Sequence, residues 1–426
     1  MEYILKVIIM NREDIKNIES NVKSYCRKYD TTFSSAKGSY LYNDKGNKYL
    51  DFLAGAGAMN YGHNNDYIKK YIIDYIQDDG LMHGLDLYTQ AKEEFMEIFK
   101  TKILDPRDLD YKIQFTGPTG TNAVEAALKL ARKVKKRNNI IAFSGAFHGM
   151  TLGSLSATSD EGSRNGAYLP LTNVTHLPYP VGCVEFDTLK YLRNVIEDDH
   201  SGIDKPAAIL LETVQAEGGV NVAPIEWLKG LEELCHEKDI LLIVDDIQVG
   251  NSRTGYFFSF ERANIKPDMV TLSKSISGYG LPMAILLLKP ELDIWHPAEH
   301  NGTFRGNQLA FVGAKAAIEY NLQNNLNEEV TKKGEYVKKY IEDNILILSD
   351  KICLRGLGLI WGIDFSKLDR DDIVKVIIKK CFERKLVIES AGRKDLVLKI
   401  LCPLTISYDE LKEGLEIITE VIKEVI

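Results

Sequence analysis

Three short segments of this 426-residue chain place an anion cradle, a carboxylate and an amine in chain order. The first, FTGPTGTNAVEAALKLAR (115–132), reads as a strand, a glycine-containing turn and the start of a helix. Unpaired backbone N–H groups and the positive end of the helix dipole make such a turn an anion site, and Thr119 or Thr121 can add a hydroxyl. A phosphate suits it, although a tight turn with ordinary caps accounts for this segment equally well when it is taken alone. It matches neither the P-loop nor GxGxxG, and the GAGAMNYG stretch from Gly55 to Gly62 also lacks the dinucleotide spacing.

The second segment is the apolar run ILLIV closed by Asp245 and Asp246. Carboxylates at the carboxyl end of a parallel strand sit where such sheets bind ligands, and burying one demands a cationic partner. A protonated pyridine nitrogen is such a partner, and the acid would keep the ring able to accept electrons. Gln248 lies within reach of a ring hydroxyl. On their own, the two acids read more simply as caps on the next element. The third segment, DMVTLSK, ends in Lys274, whose ammonium form would be disfavoured by apolar surroundings and a cationic ring, freeing an amine nucleophile. A lone lysine at a strand end is ordinarily just solvated. The order of phosphate turn, carboxylate and amine is what joins them.

These groups need a scaffold, and the pattern around them supplies one. Between about residues 111 and 290, strand-like runs (YKIQFTG, NIIAFSG, AAILLETV, ILLIVDD, DMVTLSK, PMAILLL) alternate with helical patterns such as IEWLKGLEELCHEK. Such alternation predicts an α/β fold with a mainly parallel sheet covered on both faces. The helix, read to start at Asn122, puts Val124, Ala127, Leu128, Ala131 and Val134 on one stripe, and Asn122 with Glu125 has capping-box spacing. Beyond about residue 320 the expectation is a helix, a strand near ICLRGLGLIWGIDF, a helix from about Asp371 to Arg384, a strand in LVLKILCP and a last helix capped by Ser407 and Glu410. The chain therefore reads as a large domain over 56–320 and a smaller α+β domain over 321–426. Residues 1–55 join the smaller domain, and KGSYLYNDKGNKYLDF is expected to form a hairpin turning at Asp44 to Gly46.

Composition removes other classes. A net charge of -8 offers no footprint for a polyanion, and the basic stretch Lys129 to Arg137 reads as the solvated face of one helix, so no nucleic-acid partner is expected. The six cysteines (Cys26, Cys183, Cys235, Cys353, Cys381, Cys402) form no CxxC pair, which suits a reducing cytoplasm. The eight histidines show no HExxH or similar spacing, and no metal is expected. The opening MEYILKVIIM is too short to span a bilayer and lacks a basic leader, so no membrane association is expected; Met10, followed by NREDIKNIES, is a second candidate start.

Over nearly its whole length from about Met10, the chain resembles the class III pyridoxal-phosphate-dependent aminotransferases, the ornithine and 4-aminobutyrate type. The segments that carry the resemblance are FLAGAGAMNYGHNN, FTGPTGTNAVEAALKLARK, AFHGMTLGSLS, ETVQAEGG, LLIVDDIQVGNSRTG, LSKSISGYGLPMA and EHNGTFRGN. The resemblance implies fold type I with a seven-stranded-type sheet and pyridoxal 5'-phosphate as cofactor. It also implies a homodimer with shared active sites, which can pair further. Carried over residue by residue, it puts Gly120 and Thr121 at the phosphate, Phe147 and His148 beside the ring, Asp245 on the ring nitrogen and Gln248 at the ring hydroxyl. Glu212 would support that shell, Lys274 would hold the cofactor covalently, and Thr303 would reach the phosphate in the neighbouring subunit. Phe147 stands where many members carry tyrosine; it can stack on the ring but cannot donate a hydrogen bond.

Glu217 falls where related enzymes hold a carboxylate that pairs with an arginine, and the matching arginine position here is Lys399. A lysine is a point charge instead of a bidentate fork, so Arg305 and Arg393 are alternative carriers of substrate carboxylates. Within the class, the wording is similar to members of ectoine biosynthesis that move the terminal amino group of L-2,4-diaminobutyrate to 2-oxoglutarate. Another terminal-amine donor, an aminomutase reaction or a non-catalytic cofactor-binding role are the competing expectations.

Overall fold

The computed structural model describes residues 12–165, 168, 170–181 and 185–426; the opening MEYILKVIIM and Cys183 lie outside the described residues. The chain enters through an antiparallel meander of β1 (Phe33–Lys37), β2 (Tyr40–Asn43) and β3 (Lys48–Asp51). The hairpin between β2 and β3 turns over 44–47 as expected. Asn43 Oδ1 accepts the N–H groups of Lys45 and Asn47 at 3.1 and 2.8 Å, while Gly46 adopts φ 76°, where a side chain would be strained.

The large sheet holds β4 (Lys112–Phe115), β5 (Ile140–Phe143), β6 (Val174–Leu177) and β7 (Ala208–Leu211). A short ribbon of β8 (Val214–Gln215) and β9 (Asn221–Val222) follows, and the large sheet resumes with β10 (Leu241–Asp245), β11 (Met269–Leu272) and β12 (Ile285–Leu288). Its order is β4-β12-β11-β10-β7-β5-β6, and the neighbours run parallel except that β12 is antiparallel to both of its own. Every residue of β5, β7, β10, β11 and β12 is buried, which is why these strands read as continuous apolar runs instead of alternating ones. The strand β6 is not among the sequence-derived runs, because VTHL is short, mixed in polarity and half-buried at the sheet edge. Helix α1 (Gly120–Lys135) buries the expected stripe against this sheet, with Val134 partly covered.

Further along lie α2 (Ile225–Glu237), α3 (Gln308–Gln323), α4 (Leu326–Asn344), β13 (Cys353–Leu357), β14 (Ile360–Asp364), α5 (Ile373–Glu383), β15 (Leu386–Val387), β16 (Glu389–Ala391), β17 (Val397–Ile400) and α6 (Tyr408–Val425). The single strand expected near ICLRGLGLIWGIDF is instead a hairpin of β13 and β14. It pivots at Gly358, where a Cβ would come within 2.4 Å of the Arg253 carbonyl. These strands form a second sheet, β13-β14-β17-β16, while β15 leaves it to pair in parallel with β3. The N-terminal Tyr29, Tyr49 and Phe52 accordingly share one apolar core with Phe365, Ile377 and Ile418. Ser407 and Glu410 close the expected capping box at the start of α6.

Candidate active site

The phosphate turn joins β4 to α1, and the helix begins at Gly120, two residues earlier than the Asn122 start read from the sequence. Thr119 is the capping residue: its backbone N–H and hydroxyl both donate to Asn122 Oδ1, at 3.4 and 2.8 Å. Glu125 therefore does not cap the helix. It accepts from Thr151 Oγ1 at 2.6 Å and from the N–H groups of Gly153 and Ser154, tying the following loop down, and Thr151 in turn meets Thr121 Oγ1 at 2.6 Å. The first N–H groups of α1 have no partner within the helix, and Gly120 and Thr121 line a cavity at the carboxyl edge of the large sheet.

Two parallel neighbours bring the other groups to that edge, because β10 ends at Asp245, in register with Thr271 of β11. Asp245 Oδ1 accepts from Thr271 Oγ1 at 3.0 Å, and Oδ2 lies 2.7 Å from His148 Nδ1. His148 is buried and its Nε2 has no hydrogen-bond partner among the described residues. Burial pulls the imidazole pKa down, but the hydrogen bond and charge of Asp245 outweigh it and the net shift is upward. Asp246 faces away, accepting the Ser259 N–H at 3.0 Å, and burial pushes it up to about 7. Glu212 accepts the Phe147 N–H at 3.0 Å and is pushed up to about 8, chiefly by burial.

Lys274 follows β11 with φ 51°, and its Nζ donates to the Ala56 carbonyl at 2.9 Å. Burial lowers the pKa of this amine, with Glu217 opposing in part, so the nucleophilic neutral form is more accessible than in water. The same Ala56 carbonyl accepts from Gln248 Nε2 at 2.9 Å. Residues 54–57 all carry positive φ, so the Ala-Gly-Ala-Gly stretch is a left-handed turn that aims a carbonyl into the site. Its run of small residues was the only sequence signal for this role.

Across the cavity, the fully buried Lys399 of β17 is paired twice, with Glu217 Oε1 at 2.6 Å and Glu389 Oε1 at 3.0 Å. Glu217 rides in the turn between β8 and β9, and Gln248 Nε2 also donates to its Oε1 at 2.9 Å. Burial alone would raise the Glu217 pKa and lower that of Lys399; their mutual attraction wins in both cases, holding the acid low and the ammonium high. Glu389, raised by burial against the opposing pull of Lys399, was not found by sequence reasoning. An acid inside the apolar run LVIESA was its one signal, and its cross-strand partner is visible only once β16 is in register with β17.

Gly120, Thr121, Phe147, His148, Glu212, Glu217, Asp245, Gln248 and Lys274 thus line one cavity. Thr303 does not; it is exposed in the same chain. Arg305 lies at a different cleft, donating to Asn301 Oδ1 at 3.1 Å. Arg393 is exposed in a neighbouring cleft that shares Phe147 and Glu217 with the cavity.

A buried amine, a buried acid backed by an imidazole, and a helix N-terminus around one cavity are the groups that pyridoxal phosphate needs, so fold and site define a pyridoxal-phosphate-dependent transferase. Residues 24–422 match the family described as Aminotransferase class-III, and the chain belongs to that family. It is a pyridoxal-phosphate-dependent aminotransferase. It is 52% identical over 418 residues (96% of this chain, 97% of the relative) to a diaminobutyrate–2-oxoglutarate transaminase of Streptomyces coelicolor. It is 51% identical to enzymes of that name from Wolinella succinogenes (96% of each chain) and Vibrio cholerae (96% of this chain, 99% of the relative). Among solved structures, an S-selective transaminase from Arthrobacter sp. superposes with a TM-score of 0.86 at 22% identity, covering 97% of this chain and 98% of that one. The ornithine aminotransferase of Toxoplasma gondii gives 0.84 at 23% identity, covering 98% and 96%. These two likenesses carry the fold.

Proposed function

We propose that the protein transfers the terminal amino group of L-2,4-diaminobutyrate to 2-oxoglutarate, giving L-aspartate 4-semialdehyde and L-glutamate, in either direction. The observation that carries this reading is the pairing of the buried Lys399 with Glu217, whose carboxylate lines the cavity and covers the lysine, read beside the relatives named for these two substrates. One site that serves a diamine and an α-dicarboxylate needs a cation that is covered for the first and uncovered for the second.

When bound, pyridoxal phosphate supplies a ring that accepts electrons from the carbon carrying the amine. Gly120 and Thr121 hold its phosphate and Phe147 packs on the ring, while Gln248 and Glu212 form the polar shell. Asp245, with His148 behind it, keeps a proton on the ring nitrogen. Lys274 Nζ holds the cofactor, then takes and returns the proton at the reacting substrate carbon. Arg393, whose side chain makes no hydrogen bond or ion pair to a described residue, is the better placed of the two arginines for a second substrate carboxylate.

The proposal includes a homodimer in which Thr303 serves the partner's phosphate, a cytoplasmic setting, a place in ectoine biosynthesis, and domain boundaries near residues 55 and 320. Among the described residues no helix is long and apolar enough to cross a membrane. Glutamate formation from 2-oxoglutarate, compared across diaminobutyrate, ornithine, 4-aminobutyrate and other amines, is the test. Diaminobutyrate should give the highest kcat/KM, and a clear preference for another donor would overturn the substrate assignment.

A further inference from the structure

The ion cluster at Lys399 has one more acid than a covered cation needs, and its two acids are held in different ways. Glu389 stands directly opposite Lys399 in the antiparallel register of β16 and β17, which places the two side chains on one face of the same sheet. Both are buried, at 4% and 0% side-chain exposure, whereas Glu217 retains 33% and lines the cavity. The strand that carries Glu389 and the residue just before it are clamped from outside by the N-terminal segment at three successive positions. Tyr29 donates to the Ile388 carbonyl at 2.6 Å, Tyr25 to Glu389 Oε2 at 3.3 Å and Lys28 to Ser390 Oγ at 3.4 Å. The backbone of Glu217 is also fixed, through its carbonyl and the Gly392 N–H at 2.8 Å; its carboxylate sits on a turn, with Oε1 accepting from Lys399 and Gln248, and borders the cavity.

We propose that Glu389 is a positioning residue that pins Lys399 to its own sheet, so that Glu217, and not the lysine, is the partner that moves when a substrate carboxylate takes its place. A lysine is a point charge on a flexible four-carbon stem, without the planar fork that fixes an arginine against a carboxylate. Paired only with Glu217, such an ammonium would follow that acid as it left the wall. Paired with Glu389 as well, it keeps a counter-ion while Glu217 is displaced, and a buried ammonium is never left bare. The cross-strand acid thus compensates for the lysine that stands in the arginine position.

The inference rests on the two-substrate reading above, and its test separates the two. In the holoenzyme, the half-reactions with glutamate and with diaminobutyrate are measured separately for wild type and Glu389→Gln, together with calorimetric binding of glutarate, a dicarboxylate that cannot react. The glutamate half-reaction and glutarate affinity should each weaken about tenfold, as expected for one charge-assisted contact, while the diaminobutyrate half-reaction stays within about threefold. Combining Glu389→Gln with Lys399→Arg should recover most of the glutamate loss, since a guanidinium holds its own orientation. A merely structural role would lower both half-reactions together and show no such recovery, and either result overturns the proposal, as does no change at all. Should Glu389→Gln fail to fold, Glu389→Asp keeps the charge but shortens the reach, and an unchanged ratio of the two half-reactions in that variant is equally decisive against it. If wild type prefers another terminal amine, the substrate reading falls, and the same ratio taken with that amine still decides the role of Glu389.

Discussion

The two walls of the cavity are built on opposite principles. On one side, Asp245 and Lys274 come from the ends of adjacent parallel strands, and the α1 N-terminus from a third strand of the same sheet, with Thr271 and His148 holding the acid from behind. Nothing there needs to move during a catalytic cycle except the lysine amine. On the other side, Glu217 of the β8–β9 turn lines the cavity, Lys399 and Glu389 of the C-terminal sheet are buried behind it, and salt bridges join Lys399 to both acids. A rigid wall suits a cofactor that stays, and a wall of exchangeable ion pairs suits two substrates that alternate.

Breaking the rigid wall should cost the most. Lys274→Ala should lower turnover by roughly 1,000-fold or more in steady-state assays, because both the covalent attachment and the proton carrier are lost. Asp245→Asn should retain much of the cofactor but lower kcat by about 100-fold, since an amide cannot hold the ring nitrogen protonated. Asp246→Asn should leave kcat far closer to wild type, because that acid faces Ser259. A reversed ranking in the same assays would put the ring nitrogen on the wrong carboxylate.

The rigid wall was also the legible one. Its strands are continuous apolar runs, and Asp245 and Lys274 sit at their ends in chain order, so reading along the sequence finds them. The helix start was misplaced by two residues because Asn122 and Glu125 mimic a capping box that Thr119 and Asn122 form three residues earlier. The second wall was only half legible: Glu217 and Lys399 came from resemblance, while Glu389 and the Ala56 carbonyl depend on strand register and backbone handedness, which no local pattern encodes. The β13–β14 hairpin was read as one strand because Gly358 is one of three glycines in a mostly apolar run and nothing local marks it as the turn.

Changes in the exchangeable wall should alter selectivity before they alter rate. Glu217→Ala leaves Lys399 uncovered and should shift the ratio of kcat/KM for glutamate against diaminobutyrate toward glutamate by about tenfold. Lys399→Arg should strengthen α-carboxylate binding by about 1 kcal/mol, visible as a lower KM for 2-oxoglutarate, if one charge-assisted hydrogen bond is gained. Unchanged donor ratios in both variants would move carboxylate recognition to Arg393.

The smallest effect concerns pH. Burial pushes the Glu212 carboxyl up to about 8 from an ordinary value of 4.5, so the folded state binds its proton more tightly and folding stability falls as pH rises through that window. Glu212→Gln removes the ionisation, and its Tm relative to wild type should rise steadily between about pH 5 and pH 8 and then level off. A difference that stays flat over this range would mean that the carboxyl is already ionised in the fold.

Borohydride reduction of the purified holoenzyme, followed by peptide mass mapping, tests the identity of the rigid wall most directly. The cofactor mass should be found on Lys274 alone, in stoichiometric amount. Finding it on Lys399 or any other lysine, or on none, would contradict the assignment of Lys274.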